Sequence, residues 1–167
     1  MLHESHIKIL SGAISAMAKK IMLIGEYTHT LDDKNRLSLP SKFRQEMGKK
    51  VVVTPGLDQC LFVFSVKEWE KISSKLAESS MLQADTRSFN RFLFGGAQEV
   101  EIDSIGRILL PDFLRERAGL SGEGKAVIIG VQSRAEIWNE KAWSDYKSIV
   151  EKQADTLAEK LGQVGML

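Results

Sequence analysis

The chain has 167 residues, of which 43% are hydrophobic and 27% charged, so it can form one domain or two small fused halves. Its formal net charge of +1 is uninformative, because a nucleic-acid binder needs a basic face rather than a basic total. The only cysteine, Cys60, excludes an intrachain disulfide, and the three histidines lack a metal-ligand spacing. We therefore expect no metal and no cofactor, and a reducing cytosol suits the composition.

Residues 1–21 are expected to form an N-terminal extension outside the folded part. Its apolar patch is interrupted by Lys8 and by Ser11–Gly12, and it lacks the features of a signal peptide. No stretch of the chain approaches the roughly 20 apolar residues that a membrane-spanning helix needs. Two interpretations stay open, namely a disordered or loosely helical extension and a translation start at Met22.

An internal repeat organises the rest of the chain. Leu31–Pro40 reappears as Ile102–Pro111, with Asp, Arg and Pro in the same places and the apolar positions retained. Further matches beyond the proline are Arg44 with Arg115, Gly56 with Gly130, and Trp69 with Trp143. The two halves are therefore predicted to share one architecture.

The first elements of each half are predicted to be two strands and a tight turn. Glu26–Leu31 and Arg36–Leu39 alternate in the manner of half-buried strands. Asn35 occupies the place of Gly106, and both residue types tolerate a positive φ. This pattern favours a hairpin with a left-handed residue just before the arginine.

Helix signals continue the pattern in each half. Short helices are expected after the prolines, and two further strands and a capped helix follow. The markers are Pro40 and Pro111 before the short helices, Gly48 and Gly119 at their ends, and Ser65 and Asn139 as later N-caps. Asp85 is expected to cap a helix that ends at Gly95–Gly96, and the final helix to run from Glu140 towards Leu161. The predicted division is an extension (1–21), a first, DNA-binding repeat (22–78), a connector with a helix (79–95) and a second repeat with the C-terminal helix (96–167).

These motifs resemble those of the MraZ family. The segments that carry the resemblance are Ile24–Tyr27, Leu31–Pro40, Phe43–Arg44 and Gly56–Asp58 in the first half, and Phe94–Glu99, Glu101–Pro111 and Glu136–Trp138 in the second. The resemblance implies an α+β fold, specifically an internally duplicated AbrB-like double-split β-barrel with short helices and a C-terminal helix. The extension before Met22 departs from the family pattern.

The resemblance also implies a function. Family members are bacterial, nucleoid-associated transcriptional regulators of the division and cell-wall gene cluster, including their own promoter. They form ring-like homo-oligomers that bind short direct repeats in double-stranded promoter DNA. We therefore expect a cytoplasmic, nucleoid-bound repressor without a membrane partner.

Charge separates the two copies of the motif. Asp32–Lys50 contains six basic and three acidic residues, whereas Asp103–Arg117, extended back to Glu99 and Glu101, has a balance of −2. Because phosphate affinity comes from Lys and Arg, the first copy is the better DNA face. A two-stranded ribbon fits the major groove, where an arginine can donate two hydrogen bonds to guanine O6 and N7.

The candidate site residues follow from this asymmetry. We expect Lys34 and Arg36 to contact DNA, and Lys42 and Arg44 to be weaker phosphate contacts. For Asp32 and Asp103 a structural role in the turn is favoured, since an acid and an arginine four residues apart can brace it. For Arg107 the brace and the DNA contact stay open as alternatives. The second copy is expected to complete the barrel and the ring.

The alternative classes of function are an enzyme and a protein-interaction module. An enzyme is disfavoured because no nucleophile, paired carboxylates or phosphate-binding loop is present. An antitoxin-like protein-interaction module on the same barrel is the alternative, and the C-terminal helix could serve it.

Overall fold

The computed structural model describes residues 20–122 and 124–166, so nearly all of the predicted N-terminal extension lies outside the described residues. The described part has an α+β fold of eight strands and five helices. In chain order these are β1 (Leu23–Thr30), β2 (Arg36–Ser38), α1 (Ser41–Met47), β3 (Lys50–Pro55), β4 (Leu61–Ser65), α2 (Val66–Ala77), α3 (Ala84–Gly96), β5 (Gln98–Glu101), β6 (Arg107–Leu109), α4 (Asp112–Arg117), β7 (Lys125–Gln132), β8 (Arg134–Asn139) and α5 (Glu140–Gln163).

The strands form two antiparallel sheets to which both halves of the chain contribute. The larger sheet has the order β1-β7-β8-β4-β3-β5, and the smaller consists of β2 and β6. The larger sheet is open, with β1 and β5 at its edges. The predicted α+β class and the repeated element order are thus confirmed, but this sheet does not close into a barrel.

The predicted hairpin between the first two strands is wrong. The turn itself is tight, since the Asp32 amide donates to the Arg36 carbonyl at 3.0 Å and Asn35 has a φ of 60°. Beyond the turn, however, β1 pairs with β7 and β2 with β6, so the strands of one half pair with strands of the other. The alternating pattern identifies which face of a strand is buried but carries no information about its partner.

The larger sheet is covered on both faces, which explains why β3 and β7 are buried along most of their length. On one face, Leu37 of β2 and Ile108 of β6 join Phe43 of α1 and Leu114 of α4 in the main core. On the other face, α2 and α3 pack through the aromatic contacts of Trp69 with Phe64 and Phe94. The first turns of α5 cover Trp138 through Trp143 and Tyr146.

Local signals set most helix ends. The Ser65 hydroxyl accepts a hydrogen bond from the Glu68 amide at 3.2 Å, and the Asn139 side chain accepts from the amides of Lys141 and Ala142. Gly48 and Gly119 have positive φ angles just after α1 and α4, as expected for helix ends. The prediction for Asp85 is wrong, because α3 begins at Ala84 and Asp85 lies within its first turn.

Candidate nucleic-acid interface

The β2–β6 pair is a short two-stranded ribbon on the surface of the molecule. Leu37 and Ile108 face each other at its centre and are 0% exposed, because both side chains point into the main core. Side chains alternate along a strand, so the flanking residues point outward. Arg36 stands opposite Leu109 on this outer face, and Ser38 stands opposite Arg107. Two arginines thus occupy one diagonal of the ribbon.

The first turn holds the Arg36 side chain through Asp32. The Asp32 carboxylate accepts hydrogen bonds from the backbone amides of Lys34 and Arg36, both at 2.9 Å, and from Arg36 Nε at 2.7 Å. These donors, with the Arg36 amide as the largest cause, lower the pKa of the Asp32 carboxyl and keep it ionised at neutral pH. In the described part of the chain, the terminal nitrogens of Arg36 donate no hydrogen bond. They are the atoms that bind a base or a phosphate bidentately.

The second turn repeats this geometry. Asp103 Oδ1 accepts from the amides of Ile105 and Arg107 at 3.1 and 2.8 Å, and Arg107 Nε donates to Asp103 Oδ2 at 2.8 Å. Gly106 has a φ of 88° at the position of Asn35. The Arg107 amide, followed by the other donors, lowers the pKa of Asp103. Both acids therefore order a turn and orient an arginine.

The two motifs form one cluster rather than two sites. Arg107 Nη1 lies 3.5 Å from Asp32 Oδ2, so Asp32 interacts with the arginines of both repeats. This contact follows from the swapped pairing, which places β2 and β6 side by side. Sequence reasoning missed it because Asp32 and Arg107 are far apart in the chain.

The other predicted basic residues flank the ribbon. Lys34 is exposed in the first turn, and Lys42 and Arg44 line a shallow depression together with Ser38 and Ile105. Lys42 and Lys34 take part in no ion pair within the described residues, so their charges are available to a ligand.

Arg44 is placed differently from the lysines. Its side chain is partly buried and packs over the second turn, since a Cβ built on Gly106 would lie 2.2 Å from Arg44 Nη1. Gly106 therefore leaves room for this arginine, and each turn packs against the other half of the chain. Arg44 is more constrained as a phosphate contact than Lys42 is.

Equivalent positions of the two repeats carry opposite chemistry. Where the first repeat has Lys34, Ser38 and Lys42, the second has the exposed apolar residues Ile105 (64%), Leu109 (56%) and Phe113 (46%). The matching depression at the other end of the ribbon is lined by Asn35, Leu109, Glu99 and Asp112, so it is acidic rather than basic. The replacement of polar by apolar residues is visible when the two repeats are aligned. Only the structure shows that these apolar side chains are exposed.

Comparison with known proteins matches these repeats. The family model described as "MraZ protein, putative antitoxin-like" matches twice, at residues 22–92 and 93–162. The chain belongs to the MraZ family. It is 45% identical over 145 residues to the transcriptional regulator MraZ of Acetivibrio thermocellus, covering 87% of this chain and 100% of that relative. It is 48% identical over 140 residues to that of Moorella thermoacetica, covering 84% of this chain and 96% of the relative.

Membership in this family gives the coarse function. The similar proteins are named transcriptional regulators, which is not an enzyme class, and this chain is accordingly a transcriptional regulator. Within residues 20–122 and 124–166, no helix is both long and apolar enough to cross a membrane. The same ranges contain no group of three or more His, Cys, Asp or Glu side chains that could hold a metal ion.

Proposed function

We propose that this chain binds double-stranded promoter DNA sequence-specifically through the outer face of the β2–β6 ribbon. The observation that carries the proposal is the pair Arg36 and Arg107, both pointing outward from one ribbon with their Nε atoms held by Asp32 and Asp103. A two-stranded ribbon fits the major groove, and an oriented arginine can bind guanine O6 and N7. Because the side chains are already ordered, less conformational entropy is lost on binding.

The lysines extend this surface towards the phosphates. Lys34 lies in the turn before Arg36, and Lys42 lies at the depression beside Ser38. Each is exposed and available to a phosphate, whereas Lys50 is neutralised by Glu99 at 3.0 Å. Arg44, which packs over Gly106, is a weaker candidate. The part of the DNA site that the first repeat supplies therefore consists of Arg36 and Lys34, with Lys42 and Arg44 at its margin.

The second repeat contributes to the same site. Arg107 shares Asp32 with Arg36, so its guanidinium lies close to the proposed base contact. We place Arg107 in the DNA interface and give Asp32 and Asp103 the role of orienting the two arginines. This assigns the second repeat more than completion of the fold.

The regulated genes follow from the family resemblance. We propose a repressor of the bacterial division and cell-wall gene cluster that also acts on its own promoter, binding short direct repeats. The location is then the cytoplasm, at the nucleoid. Several similar proteins named transcriptional regulator MraZ, including that of Caldicellulosiruptor saccharolyticus (46% identical, 87% of this chain and 100% of the relative), support this proposal.

The finer fold and domain division belong to the proposal as well. We infer an AbrB-like double-split barrel in which the β2–β6 ribbon covers the gap between the edge strands of the larger sheet. The shared main core of Leu37, Ile108, Val51 and Ile128 supports this arrangement. The chain then divides into repeats at 22–78 and 96–167 with a connector at 79–95. These repeats are not separate folding units, since every strand of the first pairs with a strand of the second.

We further propose a ring-like homo-oligomer. The first turns of α5 pack on Trp138, but every residue from Glu151 to Met166 is exposed. Within this segment Leu157 and Leu161 are exposed, and together with the partly buried Val150 just before it they recur at helical spacing. Such a stripe is typical of a helix that packs against another chain. Several subunits on tandem sites would raise the affinity above that of one ribbon.

An antitoxin-like protein-interaction module is the second candidate. It is favoured by the wording of the family description and by an apolar cleft between α2, α3 and the sheet, lined by Phe62, Phe64, Phe89 and Phe92 among others. The two candidates differ in their ligand. A gel shift with the DNA upstream of the protein's own gene at low salt separates them, because an interaction module would leave that DNA unshifted.

The decisive variant is Arg36→Ala. We expect it to reduce binding to this promoter fragment by about 1–3 kcal/mol, the range for an arginine that reads a guanine. Arg91→Ala, which removes an exposed arginine from α3, is the matched control and should bind as the unmodified protein does. Unchanged binding by folded Arg36→Ala would contradict the proposal.

A further inference from the structure

On the outer face of the ribbon, the two residues opposite the arginines differ in polarity. Leu109 stands opposite Arg36 in the strand register, and Ser38 stands opposite Arg107. Leu109 is also two residues from Arg107 on β6, so it neighbours one arginine across the ribbon and the other along its own strand, with 56% of its surface exposed. A lone exposed leucine is common on protein surfaces. Leu109 differs from such residues because it is an exposed apolar side chain next to two outward-pointing arginines.

We propose that Leu109 contacts the 5-methyl group of a thymine beside the guanine that Arg36 reads, and thereby determines part of the sequence preference. The inference rests on the proposed binding of DNA through this ribbon. Opposite residues in an antiparallel pair have Cβ atoms about 4.5–5.5 Å apart, and stacked bases are about 3.4 Å apart. Neighbouring side chains on the ribbon can therefore reach neighbouring base pairs, and the thymine methyl is the apolar group of the major groove.

DNA fits this mixed surface better than a second protein chain does. A protein that covered Leu109 would also bury Arg36 and Arg107. The terminal nitrogens of Arg36 would then need acceptors, and those of Arg107 would have, in the part of the chain that the structure describes, only the 3.5 Å contact of Nη1 with Asp32 Oδ2. Within the described residues, Asp32 and Asp103 already bind the Nε atoms of these arginines. The floor of a major groove offers guanine acceptors and a thymine methyl side by side.

The equivalent residue Ser38 makes the readout asymmetric. A serine hydroxyl can donate or accept, so it discriminates weakly between bases. Leu109 instead favours thymine, at the end of the ribbon where it stands opposite Arg36. Although the two turns are related by the repeat, the DNA sequence that they read is then expected to be unequal in its two halves.

Deoxyuracil tests this contact, because it removes only the methyl group of thymine. The probe is the promoter duplex upstream of the protein's own gene. Each thymine in the region that the bound protein protects in a footprint is replaced singly, and binding is measured by fluorescence anisotropy. For the unmodified protein we expect one replacement near an Arg36-dependent guanine to weaken binding about fourfold. For Leu109→Ser the thymine and deoxyuracil probes should bind equally. Leu82→Ser, the same change at an exposed leucine of the connector, should keep the difference.

The failures of the two proposals are distinguishable. If the unmodified protein does not bind the promoter, or if Arg36→Ala binds equally well, the proposed function fails. If binding depends on Arg36 but no deoxyuracil weakens it, only the role of Leu109 is overturned. The role of Leu109 is also overturned if Leu109→Ser still binds the thymine probe more tightly than the deoxyuracil probe. The same conclusion holds if this variant keeps that difference and its oligomeric mass changes.

Discussion

Arg107 of the second repeat lies 3.5 Å from the carboxylate of Asp32 in the first, measured from Nη1 to Oδ2. Asp32 also accepts Arg36 Nε at 2.7 Å, so one carboxylate orients two arginines. Asp103 has an ion pair only with Arg107 among the described residues. The two copies of the Asp-x-x-x-Arg motif are therefore unequal in their contacts as well as in their surroundings.

Asp32→Asn should weaken DNA binding more than Asp103→Asn does. The loss should be at most the roughly 1–3 kcal/mol of a bidentate guanine contact, because the arginine remains but is less well oriented. The sign is informative, since removing a negative charge near DNA would by itself raise the affinity. Titration of a labelled promoter duplex measures the effect.

Asp33 provides the control for this comparison. It is the exposed neighbour of Asp32 and has no ion pair in the described part of the chain. Asp33→Asn should therefore bind DNA equally well or more tightly. Tighter binding by Asp32→Asn would show that Asp32 acts only as a repulsive charge.

Lys42→Ala should make DNA binding less dependent on salt. A lysine that neutralises one phosphate contributes about one unit to the slope of log affinity against log salt concentration. Lys50→Ala is the comparison, because Lys50 Nζ is held by Glu99 Oε1 at 3.0 Å and is expected to contribute no phosphate contact. Anisotropy titrations at several salt concentrations measure both slopes, and equal slopes for the two variants would place Lys42 outside the interface.

The local structure around this site was largely predictable from the sequence. The repeat, the left-handed residues at Asn35 and Gly106 and the cap at Ser65 follow from local steric and hydrogen-bonding preferences, and all three are present. Such preferences act over a few residues. They therefore set the turns and helix ends without reference to the rest of the fold.

The contacts between the repeats were not predictable in this way. The sequence suggested a hairpin at each motif, but β2 pairs with β6 because Leu37 and Ile108 share one core. The packing of Arg44 over Gly106 and the contact of Arg107 with Asp32 follow from that pairing. Both depend on distant segments, so periodicity and charge counts along the chain could not reveal them.

The stability of the protein should depend on the two turn carboxylates in a defined pH range. Their hydrogen bonds, first those from the amides of Arg36 and Arg107, lower the pKa of Asp32 and of Asp103 below that of an unfolded Asp, about 3.9. A carboxyl with a lowered pKa stabilises the fold fully above the unfolded value, and this contribution is lost as the pH falls through the folded value. The contribution of these two carboxylates to the free energy of unfolding should therefore stay constant down to about pH 5 and decrease below it.

The double variant Asp32→Asn/Asp103→Asn tests this range, because Asn resembles a protonated carboxyl. It should be less stable than the wild type at neutral pH, and the difference should shrink as the pH falls below about 4. Thermal unfolding from pH 7 to pH 3 measures the difference. A gap that stays constant throughout, or that closes already near pH 6, would contradict the assignment.

Gly130→Ala should destabilise the fold through the backbone of β1. Gly130 of β7 pairs with Gly25, and a Cβ at Gly130 would lie 2.4 Å from the backbone nitrogen of Ile24. No rotamer change relieves a clash with backbone, so β1 would have to move. We expect the free energy of unfolding to decrease by about 1–3 kcal/mol. Gly162 of α5 is the control, because a Cβ there meets nothing within 4 Å and alanine favours a helix.

Urea unfolding compares the two glycine variants. Gly130→Ala should lower the midpoint, and Gly162→Ala should leave it unchanged or raise it slightly. Since β1 leads directly into the turn that contains Asp32, a displaced β1 should also reduce promoter affinity in Gly130→Ala, with Arg36 itself intact. An unchanged midpoint for Gly130→Ala would mean that β1 does not lie against β7 in solution, and the swapped pairing that creates the ribbon would then need to be revised.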